Sequence, residues 1–177
     1  MQRRTVLIAL AAPALLARPA AASPELAGLA LRGQGRLRFF GLHVYDIRLW
    51  SAAPVSAERW DEQPLTLEIE YARNLDGPEI AKRSLKEMRR QAEIPDTQAQ
   101  AWLAEMQAAF PDVKAGDRIS GTLQPGRAAE FHLNGQPRRR IADARFARLF
   151  FGIWLSPQTS EPGLRAQLLG GADVGQR

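Results

Sequence analysis

Leu65 to Tyr71 (LTLEIEY) alternates apolar and polar side chains without a break, and the chain after Asp76 then changes to a helical period. That switch constrains the fold more than any other feature. A period of two fits a half-buried strand, and a period of 3.6 fits an amphipathic helix. Leu65, Leu67, Ile69 and Tyr71 are expected inward, with Glu68 and Glu70 in water. Before this strand, Leu29 to Arg32 reads as a short strand closed by a Gly33-Gln34-Gly35 turn. Arg36 to Trp50 reads as a long β-segment that Gly41 bends or bulges. After it, Asp76-Gly77-Pro78-Glu79 starts a helix with Pro in its first turn, and Ile80, Ala81, Ser84, Leu85 and Met88 share one face. Pro95 breaks that helix. Asp96 is expected to cap a second, whose stripe of Ala99, Trp102, Leu103, Met106 and Phe110 reads as core packing against a sheet.

Lys114 to Asp117 is a turn. Strands Arg118 to Leu123 and Ala128 to Leu133 follow around Gln124-Pro125-Gly126. Asn134-Gly135 tolerates positive φ at both residues and predicts a hairpin into Gln136 to Ile141. Asp143 caps a helix carrying Phe146, Leu149 and Phe150. Ser160-Glu161-Pro162 opens a last helix that Gly170-Gly171 stops, and the residues after Ala172 are expected to fray. Strands, two helices, strands and two helices make an α+β domain, with an antiparallel sheet covered on one face by a helical layer.

Residues 1–22 carry the three-part layout of a signal peptide. Arg3 and Arg4 are followed by 13 uncharged, mostly aliphatic residues (Thr5 to Ala17), and then by Ala20-Ala21-Ala22 as a cleavage site. A spanning helix needs about 20 apolar residues, so no stable membrane span is expected. The mature domain, 23–177, is expected to start at Ser23 and to be periplasmic. Arg3-Arg4 leaves both the general secretory and the twin-arginine route open. Losing Arg3, Arg4 and Arg18 takes the formal charge from +5 to +2, too little to argue for nucleic acid. The chain has no Cys, so it has no disulfide, thiolate ligand or Cys nucleophile.

Most catalytic templates are missing. There is no phosphate-binding Gly-rich loop, no nucleophile elbow and no metal-spaced His cluster. His43 and His132 fall in separate strands. Pro137-Arg138-Arg139-Arg140 reads as a solvated, charged edge strand, with an anion-binding patch as the alternative. Arg36 and Arg38 share a strand face. Inward, they would stand at a pocket mouth and hold a carboxylate; outward, they would be solvated. The pattern leaves both open.

Several stretches together resemble the exported bacterial branch of the chalcone isomerase-like family. They are Gly35 to Asp46 (GRLRFFGLHVYD), Lys114-Ala115-Gly116-Asp117, Asn134-Gly135, Phe150 to Leu155 (FFGIWL) and Leu164 to Gly170 (LRAQLLG). The resemblance runs from about Leu26 to Gly170. It implies a ligand cleft between the sheet and its helical layer. Plant members cyclise chalcones and other members bind fatty acids; this branch resembles the non-catalytic ones. The plant enzymes' strand Thr aligns near Phe40, their helix Tyr at Ile80, their helix Asn at Glu87 and their late Thr near Ile153. Only their Arg has a counterpart, in Arg36 or Arg38.

The resemblance therefore implies a binding protein for a small amphiphile such as a fatty acid, with no catalytic residue, metal or cofactor assigned. The ligand-binding candidates are Arg36, Arg38, His43, Tyr45 and Tyr71, with Trp102 and Phe151 as aromatic lining. The alternative is an isomerase acting on an unknown enone. It requires Tyr45, Tyr71, His43 and an Arg to converge on the cleft. A third possibility, an interaction module without a ligand, requires the cleft to be filled by Phe150, Phe151 and Trp154.

Overall fold

The computed structural model describes residues 23–170. The signal-peptide and fraying expectations, for residues 1–22 and beyond Ala172, fall outside them. Six strands form one antiparallel sheet in chain order: β1 (Ala30–Phe39), β2 (Leu42–Ser51), β3 (Leu65–Tyr71), β4 (Arg118–Gln124), β5 (Ala128–Leu133) and β6 (Gln136–Ile141). Helices α1 (Gly77–Met88), α2 (Asp96–Ala109), α3 (Ala144–Leu155) and α4 (Pro162–Leu168) pack on one face. The α+β architecture expected from the periodicity is the one observed. Among the described residues no helix is long and apolar enough to cross a membrane.

The core lies between sheet and helices. Ile47, Leu49, Leu65, Leu67 and Leu123 come from the sheet, and Phe131, Phe146, Phe150 and Phe151 form a cluster of mostly edge-to-face rings under α3. Gly121 stands where a methyl group would press on the Phe131 and Phe151 rings at 3.2–3.4 Å. Asp143 caps α3, accepting from the Phe146 N–H at 2.9 Å. The residue preceding α2 is Pro95, not Asp96; Asp96 sits in the first turn and pairs with Arg89 at 3.0 Å.

Three expectations are corrected. Gly33-Gln34-Gly35 is not a turn: β1 continues through it, with a shift in register against β2 between Leu31 and Gly33. A side chain at Gly33 would meet the Leu168 carbonyl at 2.1 Å, and one at Gly35 would meet Leu164 at 2.3 Å. These glycines let α4 close onto the strand. Arg36 to Trp50 is two antiparallel strands, because Phe40-Gly41 makes a two-residue hairpin turn. Glu68 does not face water. It is 3% exposed and lies 3.2 Å from Arg48, which also holds the half-exposed Glu70 at 3.0 Å. The 3-10 turn Pro24–Leu26 covers this outer face: Glu25 accepts a hydrogen bond from Ser120, the residue paired with Glu68. The edge strand β6 is charged as expected, with Arg139 gripping Glu105 of α2 through two 2.8 Å bonds.

Candidate functional site

A cavity of about 330 Å³ opens between the β1–β4 end of the sheet and helices α1 and α3. Strand alternation builds its floor. Leu37, Tyr45, Ile69, Tyr71 and Ile119 are cross-strand neighbours on the helix-covered face. Helical spacing builds its walls. Ile80, Arg83, Ser84 and Glu87 recur every three or four residues along α1, and Phe150, Ile153 and Trp154 come from one side of α3. The walls are largely apolar. The exposed Arg73, Glu79, Arg83 and Glu161 mark the mouth, while Ser84 and Glu87 are buried.

The interior carries few polar groups. The Tyr45 hydroxyl accepts a 2.9 Å hydrogen bond from Trp154 Nε1. Its ring meets that of Tyr71 edge-on, 6.2 Å between centroids. Tyr45 keeps part of its surface open to the cavity, but protein encloses its hydroxyl. Burial pushes its pKa up to about 12, with the Trp154 N–H pulling the other way. Burial also raises Tyr71, and the neighbouring Tyr45 adds to the effect. Both phenols are therefore neutral donors at ordinary pH. Among the described residues neither O–H donates to a protein acceptor. Glu87 sits 2.8 Å from Arg83 through one oxygen; its other oxygen is buried, 3.6 Å from Arg90 and without a hydrogen bond.

These two tyrosines are the only ones in the chain, so phenolate absorbance reports on the cavity alone. A free phenol is half ionised near pH 10. Here the absorbance should stay flat through pH 10 and rise only toward pH 12. The folded pKa of Tyr45 is raised, so its contribution to stability is complete below pH 10 and is lost as pH climbs through about 12. Half-ionisation at pH 10 in the folded protein would contradict the enclosed site.

Of the seven residues expected at the ligand site, the structure brings only Tyr45 and Tyr71 to the cavity. Leu37 and Phe39 take the cavity side of β1, so Arg36 and Arg38 between them face outward. Arg36 donates to Asp46 at 2.7 Å and borders a shallow polar groove with Gln34, Arg48 and Gln167. That contact holds the Asp46 carboxyl below the usual carboxylate range. Arg38 is exposed and reaches only the Gly41 carbonyl, at 3.4 Å. His43 lies 3.3 Å from Asp46. Trp102 is core: its Nε1 donates to Asp143 at 2.9 Å and its ring packs against Phe146. Phe151 is fully buried against Phe150 and the sheet. Ile80, Glu87 and Ile153, three positions at which the resemblance aligned plant catalytic residues, do line the cavity, whereas Phe40 stands outside it. Arg73 and Arg83 are not among the residues expected from the sequence, although the pattern carries a signal for both: Arg73 follows Tyr71 by two along the strand end, and Arg83 falls on the helix face of Ile80 and Glu87.

The architecture is an antiparallel sheet with a helical layer on one face and a largely apolar cavity between them, a concave apolar space of the kind in which small-molecule pockets are found. The sequence matches the chalcone isomerase-like family over residues 16–170, and the chain belongs to that family. It is 37% identical over 128 residues to an uncharacterised protein of Haemophilus influenzae, covering 72% of this chain and 61% of that one. The chain thus spans less than two thirds of that relative's length. A crystal structure of a fatty-acid binding protein of Arabidopsis thaliana shares the fold, with a TM-score of 0.59 and 13% identity over 81% of this chain and 87% of that one.

Proposed function

We propose that this protein is an exported, periplasmic carrier of one small amphiphile with an acid group, a single-chain fatty acid being the best fit, and that it carries out no isomerisation. The observation that carries this reading is the cavity: about 330 Å³, walled by aromatic and aliphatic side chains, with Arg73 and Arg83 standing beside Glu79 and Glu161 at its mouth. That volume is at the small end of ligand pockets, roughly 300–1,000 Å³, and suits one acyl chain. Membership in a family whose fold is shared with a fatty-acid binding protein supports the same reading.

The tail would lie on Ile69, Ile80 and Ile153, and the carboxylate at the mouth. Arg73 makes no ion pair among the described residues and stands ready for it. Of the groups that the isomerase alternative requires, Tyr45 and Tyr71 line the cavity together with two arginines, Arg73 and Arg83; it loses ground because His43 does not join them and lies against Asp46 instead. The module without a ligand loses ground because Phe150 and Trp154 wall the cavity without filling it. Displacement of a fluorescent fatty acid tests the proposal. Ile80→Trp should fill the cavity and abolish binding with little change in Tm. Arg73→Gln should weaken binding of a fatty acid roughly tenfold, and of the matching alcohol hardly at all. Equal binding by wild type and Ile80→Trp would overturn it.

A further inference from the structure

The β1–β2 turn breaks two local rules at once. Phe40 and Gly41 have φ of 47° and 78°, the pair of positive values a type I′ turn requires. The chain makes the same turn at Asn134 and Gly135, with φ of 51° and 79°, and there it uses the residue pair suited to it. Phe in the left-handed region is strained by its Cβ. It is also out in water: Phe40 is 89% exposed, Leu42 57% and Phe39 55%. Among the described residues the only aromatic contact of Phe40 is the Phe39 ring, 4.5 Å away. A strained, solvent-exposed aromatic with no internal compensation marks a site selected for something outside the domain.

The geometry points to the Phe39–Leu42 tip as a wedge that inserts into the head-group region of an anionic lipid bilayer and sets the cavity mouth against it. Three observations favour a bilayer over a protein partner. The apolar surface is a few side chains on a hairpin tip, far short of the roughly 800 Å² per partner of a stable protein interface, whereas a bilayer accepts a small apolar wedge backed by basic charge. The charge is present: Arg38 flanks the tip. Arg73 stands at the same end of the sheet, where the Ala72 N–H bonds the Val44 carbonyl at 2.9 Å. Neither Arg makes an ion pair among the described residues. The tip is also continuous with the cavity, since Phe39 lines it. Docking of this kind stands whatever the cavity carries.

Vesicle flotation tests the assignment, on the full chain and on a chain beginning at Ser23, because Thr5 to Ala17 is itself apolar. Wild type should float with phosphatidylcholine–phosphatidylglycerol vesicles, less with phosphatidylcholine alone, and less as salt rises. Phe40→Asn restores the favoured Asn-Gly pair, so Tm should hold or rise. Its partition coefficient should nevertheless fall about tenfold in both chains, and further with Leu42→Thr added. Undiminished flotation of Phe40→Asn, or no flotation of the Ser23 chain with either vesicle, overturns the assignment. Capture of a protein partner through the tip without vesicle binding also overturns it, and gives the tip to a protein groove.

Discussion

Trp154→Ala should lower the unfolding free energy by about 3–5 kcal/mol. Trp154 is 7% exposed, packs edge-on against Phe150 at 5.7 Å and donates to the Tyr45 hydroxyl at 2.9 Å. Truncation removes the ring's dispersion contacts on the Phe150 side and leaves Tyr45 without its donor. The other side already borders the cavity, so fewer packing partners are lost there, and the cost should fall toward the lower end of the range. Trp154→Phe separates the two contributions, since it keeps most of the ring volume and loses only the N–H; it should cost about 1 kcal/mol. Urea melts measure both. A loss under about 1 kcal/mol for Trp154→Ala would show that the ring is no part of the core, because surface changes usually stay within about 0.5 kcal/mol.

Chalcone cyclisation should run no faster with this protein than without it. The addition needs groups that bind the transition state better than the substrate. Of the positions aligned with the plant enzymes' hydroxyl and amide residues, Ile80 and Ile153 offer alkyl groups to the cavity, Glu87 a carboxylate held by Arg83, and Phe40 nothing, since it stands outside. A carboxylate beside a forming enolate raises its energy. Losing one well-placed donor costs a factor of about 100–1,000 in rate, and several are missing here. Tyr45 and Tyr71 are the only phenol donors in the cavity; Arg36 and Arg38 face away from it, and the two arginines that do line it, Arg73 and Arg83, are exposed at its mouth, with Arg83 paired to Glu87. The assay follows naringenin chalcone absorbance, with the product resolved on a chiral column. Rapid enantioselective closure would mean that the two tyrosines suffice, and the carrier reading would give way to an enzyme.

The alternation of Leu65 to Tyr71, the Asn134-Gly135 turn and the Asp143 cap were legible because each rests on contacts within a few residues. What failed was decided at long range. A glycine that lets α4 close on β1 looks, in the sequence, like a glycine that makes a turn, and Gly33 and Gly35 are of the first kind. Phe40-Gly41 escaped notice as a hairpin because Phe is the wrong residue for it. The buried Glu68 looked solvated because its cover comes from Glu25, far off in the chain. At the site, period two turns Tyr71 inward, but the pairing of Tyr45 with Tyr71 joins two strands, and only the placement of Leu37 and Phe39 shows which way Arg36 and Arg38 turn. Trp102 and Phe151 sit in apolar stripes, and such a stripe reads the same whether it meets a core or a cavity. Arg73 and Arg83 were hidden among a surplus of surface arginines.

The carrier reading is tested most directly by native mass spectrometry of protein purified without denaturant from the cells that make it. The account predicts a fraction heavier than the chain by one small amphiphile. That mass should be absent from Ile80→Trp, and added fatty acid should raise the Tm of the stripped wild type by mass action. The bare chain mass alone, with no Tm shift across a panel of fatty acids, would contradict it.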